Sequence, residues 1–175
     1  MSDTVRRRYV IVLVAVVSSL LLAGCGGGAL SVVPPQFRAG DGWHVGSRAT
    51  HACPGVPAAR CVQAEGWAST VRYRDCPDCI APHRTLAALP PDGIVIQLSN
   101  AQETPDRFPV GNWPPRIRAD KITAGGEGVS NRYGHFQTSV RTDHLERYLF
   151  VWFGRAHPTA RQLARANAEL RTAAP

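Results

Sequence analysis

Cys76 and Cys79, separated by Pro77 and Asp78, are the residues whose type and spacing come closest to a chemical site. A C-x-x-C pair becomes redox-active when its first sulfur lies at a helix N-terminus, where the dipole favours the thiolate. The residues before the pair read as a strand, as such a site would want. Two features oppose activation. Pro82 stands where the helix would have to continue, at a cost of about 3 kcal/mol, and Asp75 and Asp78 place negative charge beside the sulfurs. Zinc is a second chemistry: His51, Cys53, Cys61, Cys76, Cys79 and His83 supply more than four ligands of the right kind. Only one C-x-x-C is present, however, and the other spacings match no common zinc module.

The fifth cysteine has a different setting. Arg6-Arg7-Arg8 is followed by an apolar run from Tyr9 to Leu22, then by Ala23, Gly24 and Cys25. Cationic, apolar and small-residue regions in that order form a secretory signal peptide. The run of 14 residues falls short of the ~20 that a membrane-spanning helix needs. Leu22-Ala23-Gly24-Cys25 resembles the cleavage box of bacterial lipoproteins. The resemblance implies that Cys25 receives diacylglycerol on its sulfur and becomes the mature N-terminus, with palmitate-class chains as the membrane anchor. Two chains hold far more firmly than one, at roughly 0.8 kcal/mol per buried CH₂.

Setting Cys25 aside leaves Cys53, Cys61, Cys76 and Cys79, an even set in an exported chain, which favours structural disulfides over redox or metal chemistry. Four cysteines allow three pairings, and the sequence does not choose among them. Each bridge stabilises by roughly 2–4 kcal/mol.

Other chemistries are weaker. Ser69, Ser99, Ser130 and Ser139 lie in no G-x-S-x-G elbow. His135, His144 and His157 are scattered and read as surface or cap residues. Gly125-Gly126-Glu127-Gly128 lacks the lysine and the strand–helix context of a phosphate cradle and reads as a turn. Trp43, Trp67 and Trp113 suggest a platform for wall sugars, but core packing is the favoured reading. No catalytic residue, metal site or cofactor is expected.

Removing residues 1–24 leaves 151 residues and takes away three arginines and one aspartate, lowering the net charge from +7 to +5. That length supports one domain with a real core. A modest positive balance suits anionic headgroups or wall polymers. The arginines form no dense block, and nucleic acid is not an expected partner. Lys121 is the only lysine against 19 arginines, a skew that fits a GC-rich coding sequence.

The elements follow from patterning. Gly26 to Gly42 opens with three glycines and contains Pro34-Pro35, and reads as a tether spanning roughly 20–25 Å. Short strands are expected from Trp43 and within Val62–Arg74, and a helical turn over Arg84–Leu89. Gly93–Ser99 is the clearest buried strand, β-branched and bounded by turn residues. Residues 101–115, with four prolines, read as a surface loop around Trp113. Arg116–Arg118, Ile122-Thr123, Gly134–Val140 and Arg147–Phe153 read as extended. The last element is a helix. Thr159 and Gln162 fit a capping box, and Ala160, Leu163, Ala166 and Leu170 share one face, with Arg161, Arg165 and Glu169 largely away from it.

Strands followed by a terminal helix define an α+β domain over residues 43–175: a mainly antiparallel sheet with the helix packed on it. A β-sandwich with the helix at its edge is the alternative. The tail, a strand ending in Phe-Gly-Arg, then Pro-Thr and a helix, resembles the ends of small uncharacterised actinobacterial lipoproteins over about the last third of the chain, and implies no activity. The expected function is a lipid-anchored, extracytoplasmic, non-enzymatic binding or envelope-assembly protein. Its partners are membrane lipid through Cys25 and an envelope protein or wall polymer. An envelope thiol–disulfide protein and a zinc-stabilised domain are the alternatives.

Overall fold

The computed structural model describes residues 34–49, 64–74, 81–100, 110–126, 128–142 and 145–174. Cys25, Cys53, Cys61, Cys76 and Cys79, with His51, His144 and Glu127, lie outside them, and so does every cysteine expectation. The chain runs through β1 (His44–Ala49), β2 (Ala64–Ser69), α1 (His83–Ala87), β3 (Ile94–Asn100), β4 (Val110–Asn112), a 3-10 turn (Ala119–Lys121), β5 (Thr123–Gly126), β6 (Val129–Thr142), β7 (Leu145–Phe153) and α2 (Ala160–Leu170). Among the described residues no helix is long and apolar enough to cross a membrane.

The strands form one sheet in the order β1-β2-β3-β7-β6-β4, with β5 also pairing β6. Every neighbouring pair is antiparallel except β4, which runs parallel to β6. The architecture is therefore α+β, with a single sheet among the described residues rather than a sandwich.

The middle strands explain the layering. Side chains alternate between faces along a strand. Ile94, Ile96 and Leu98 of β3 stand opposite Phe153, Val151 and Leu149 of β7. These six join Phe136, Val140, Ala166, Leu170 and Ala173 in the larger core, beneath α2. The alternate residues Val95 and Trp152 point the other way, into a second cluster with Leu86, Leu89, Val129 and Tyr133. Both faces of β3 are covered, which is why it reads as an almost unbroken apolar run.

α2 begins with the expected capping box. The Gln162 amide donates to Thr159 Oγ1 at 3.2 Å, and the Thr159 amide donates to Gln162 Oε1 at 3.0 Å. Its buried face is rotated from the expected one. Gln162, Ala166, Glu169 and Leu170 are buried, Leu163 is half-buried and Ala160 is exposed. The reason lies in partners that periodicity does not display: Gln162 Nε2 donates to the carbonyls of Pro91 and Gly93 at 3.1 and 3.3 Å. Glu169 accepts a 3.3 Å hydrogen bond from the Thr172 hydroxyl. Asn167 fastens the helix to Ile117 through two bonds of 2.8 and 2.9 Å.

The folded part reaches back into residues 34–42, a stretch whose composition reads as tether. Gln36 and Ala174 exchange both backbone hydrogen bonds, at 2.9 and 2.8 Å, and Phe37 is buried in the core under α2. Pro35 lies against β2 so closely that a Cβ on Gly66 would stand 2.1 Å from its carbonyl oxygen. Phe37, Pro35 and the Gln36 backbone together dock a Gly/Pro-rich stretch.

Candidate ligand-binding face

The sheet face opposite α2 is built in rows by the strand register. Trp67, Gln97, Phe150 and Gln137 stand side by side across β2, β3, β7 and β6. Ser69, Val95, Trp152 and His135 form the next row toward α1, and Glu65, Ser99, Tyr148 and Ser139 the row on the other side, away from α1. The face thus combines aromatic rings with hydroxyl, amide and imidazole groups. The α2 face of the same strands is overwhelmingly aliphatic.

Its rings are stacked along and across the strands. Phe150 and Trp152 lie 5.7 Å apart and 12° from parallel. His135 sits 5.6 Å from Trp152 and 6.2 Å from Phe150, at 19° and 8°. Ring faces are occupied by one another, so the ring edges are what this cluster offers to a further group. Edges carry the positive end of the aromatic quadrupole.

Three buried side-chain atoms of the described residues have no hydrogen-bond partner: Gln97 Oε1, His135 Nε2 and Trp152 Nε1. All three belong to this face, and their residues are 7%, 4% and 0% exposed. An unpaired buried polar group costs roughly 1–3 kcal/mol, and each such group calls for an explanation. Their chemistry is complementary. The indole N–H only donates, the amide oxygen only accepts, and an imidazole nitrogen does either according to tautomer. Burial lowers the His135 pKa from 6.5 to about 4, so the ring is neutral at physiological pH.

Gly126 shapes the space beside that ring. Its φ of 116° and its closeness to the imidazole both require glycine, because a Cβ would lie 2.8 Å from His135 Nδ1. The register slip between Ala124 and Gly126 brings it there.

Along the third row the charge is spent. Glu65, 2% exposed, accepts from Arg48 Nε and Nη2 at 2.9 and 2.6 Å and from the Tyr73 hydroxyl at 3.0 Å. Tyr73 stacks on Trp67 at 4.6 Å and 14°. At the α1 end the Tyr133 hydroxyl donates to the Leu86 carbonyl at 2.6 Å, and the Arg132 guanidinium lies over the Tyr133 ring. A shallow depression of about 310 Å³ opens there between α1 and β6, lined by His83, Leu86, Val129, Arg132 and Tyr133.

Several arrangements weighed against the favoured readings are not brought together. Trp43 and Trp113 pack against the α2-side core while Trp67 lies on the opposite face, so the three tryptophans form no platform. Trp43 instead carries the Arg165 guanidinium 4.9 Å over its ring. His135 is not a surface or cap residue but a buried member of the sheet face, whereas His157 is exposed and His83 is exposed on α1. Ser69, Ser99 and Ser139 are buried on the candidate face. Among the described residues no group of three or more His, Cys, Asp or Glu side chains could hold a metal ion. The signal for the site was present in β3, where Gln97 and Ser99 alternate with Ile96 and Leu98 in an otherwise apolar strand. His135 carried no such signal, because β6 is polar and apolar on both faces.

No family model, curated protein or solved structure matches the chain.

Proposed function

We propose that the chain is a lipid-anchored protein of the extracytoplasmic membrane face that binds a small, uncharged polar molecule without transforming it. The binding half of this reading is carried by one observation: three unpartnered buried polar atoms, Gln97 Oε1, His135 Nε2 and Trp152 Nε1, gathered on one aromatic sheet face. A ligand with one acceptor and one donor satisfies them, and the neutral His135 suits an uncharged molecule. The anchoring half is supported by the Arg6–Arg8, apolar run and Leu22–Cys25 order. In this reading Cys25 carries the lipid and Cys53, Cys61, Cys76 and Cys79 form structural disulfides.

Two measurements test the halves separately. Label from radioactive palmitate enters the wild-type chain and is lost in Cys25→Ala; label that persists in that variant rejects the anchor. Native mass spectrometry of protein extracted from its own membrane shows a small-molecule adduct that leaves on denaturation and is missing from a Gln97→Leu/His135→Phe double variant. Wild-type protein carrying no adduct, with ordered water on all three atoms in a crystal structure, rejects the binding role.

A further inference from the structure

The outer side of α2 has a charge pattern unlike the rest of its sequence. Arg161 and Arg171 are exposed, with exposed Ala164 and Ala168 between them; Arg165 is half-buried over Trp43 and donates to the Gly42 carbonyl at 2.9 Å, and the helix's single carboxylate, Glu169, is buried. Around the helix stand three more exposed arginines. Arg116 and Arg118 flank Ile117, which Asn167 fastens to α2, and Arg38 follows the buried Phe37. The exposed acids beside them are Asp41, next to Gly42, and Asp120, which is paired with Arg118 at 3.0 Å.

Arginine is common on this domain, and charge alone does not single out one side. The entry of the chain does. Pro35, Gln36 and Phe37 all lie on the α2 side of the sheet, against Gly66, Ala174 and the core beneath the helix. Eight residues separate Pro34 from Cys25, and the nine steps between them span at most about 30 Å. A lipid on Cys25 therefore holds the α2 side within about 30 Å of the bilayer, where even a weak surface contact is favoured by effective concentration.

We propose that the α2 face docks on the membrane itself, its arginines engaging the phosphates of anionic lipid headgroups, while the aromatic sheet face is turned away from the bilayer. The outward alanines let the helix lie close to the surface, and the guanidinium groups donate to phosphate oxygens in a bidentate way. This inference rests on the lipid-anchor reading, and the contact is electrostatic and screened by salt.

Arginine footprinting on the full, lipidated protein tests it. The protein is reconstituted into vesicles of phosphatidylglycerol or of phosphatidylcholine, treated with phenylglyoxal and read residue by residue by mass spectrometry. On the anionic vesicles Arg161 and Arg171 react about threefold or more slowly than on the zwitterionic ones, and the difference disappears near 1 M salt, where the Debye length is about 3 Å. Arg72 and Arg84 react equally on both. In an Arg161→Glu/Arg171→Glu variant, the protection of Arg38 and Arg116 falls as well. Equal reactivity on both vesicles overturns the proposal. So does protection conferred by an added sugar-phosphate wall polymer and not by vesicles. Failure of the protein to float with either vesicle is a different result, since it removes the lipid anchor on which the docking depends.

Discussion

The imidazole of His135 lies nearly parallel to the indole of Trp152, 5.6 Å away and directly opposite it across the β6–β7 pair, and each ring keeps a buried nitrogen unpartnered. Stacking fixes where both nitrogens sit without using either of them. That is the condition under which a third group can be bound without first breaking a protein hydrogen bond.

Acid should weaken the fold through His135. Burial sets its folded pKa near 4, against 6.5 for the ordinary ring. Between those values the unfolded chain binds the proton and the folded one does not, so stability is full above about pH 6.5 and is lost as pH falls toward 4. The loss reaches about 3 kcal/mol at most. Urea denaturation midpoints across pH 4–7.5 measure it, and His135→Phe should flatten that part of the profile. An unchanged slope in the variant would assign the acid sensitivity to other groups.

Gln97→Leu should separate folding from binding. The amide oxygen is already unpaired, and replacing an unsatisfied polar group by an apolar one of similar shape is close to neutral for stability. The denaturation midpoint is expected to stay within about 1 kcal/mol of wild type, while the ligand adduct is lost. A large destabilisation would mean that the side chain serves the fold through its remaining atoms.

Glu169 should act in the opposite pH direction from His135. Burial raises its carboxyl pKa above 4.5, with the Thr172 hydroxyl and the Arg165 guanidinium pulling it back down. The folded chain then holds the proton to higher pH than the unfolded one, so stability declines as pH climbs through this range. Glu169→Gln is expected to raise the denaturation midpoint at pH 7 and to leave it unchanged near pH 3. A variant less stable than wild type at pH 7 would show that the carboxylate is better satisfied than its burial suggests.

Gly66→Ala should peel the entry segment from the sheet. The new Cβ meets the Pro35 carbonyl at 2.1 Å, and the cheapest relief is to release residues 34–37 and expose Phe37. A loss of about 1–3 kcal/mol is expected, and Phe37→Ala added to it should cost little more. Additive losses would show that the segment stays docked and that β2 shifts instead.

The sequence displayed what repeats and hid what is singular. The Thr159–Gln162 box, the β3 strand and the Tyr148–Phe153 strand were legible because capping and burial leave a local signature. The apolar pattern begins at Gly134 whereas β6 starts at Val129, because Asn131 and Arg132 are exposed and give no apolar period. β4 was hidden inside a proline-rich stretch, and its parallel pairing with β6 is a long-range choice that no local pattern encodes. Glu169 has the spacing of a surface carboxylate, as most are, but is buried with a hydrogen bond from the Thr172 hydroxyl. The candidate site was half legible: Gln97 stood out in an apolar strand, whereas His135 acquired its neighbours only from the register of β6 on β7.

The pairing of Gln36 with Ala174 gives the molecule a mechanical character as well. A pull arriving along the chain at residue 34 is met first by Pro35 against β2 and by two hydrogen bonds to the last turn of the chain, and through them by α2. The load reaches β3 and β7 only through β2 and the core beneath α2. Traction at residue 34 would therefore loosen the Gln36 and Ala174 segments together, before the aromatic face lost its register.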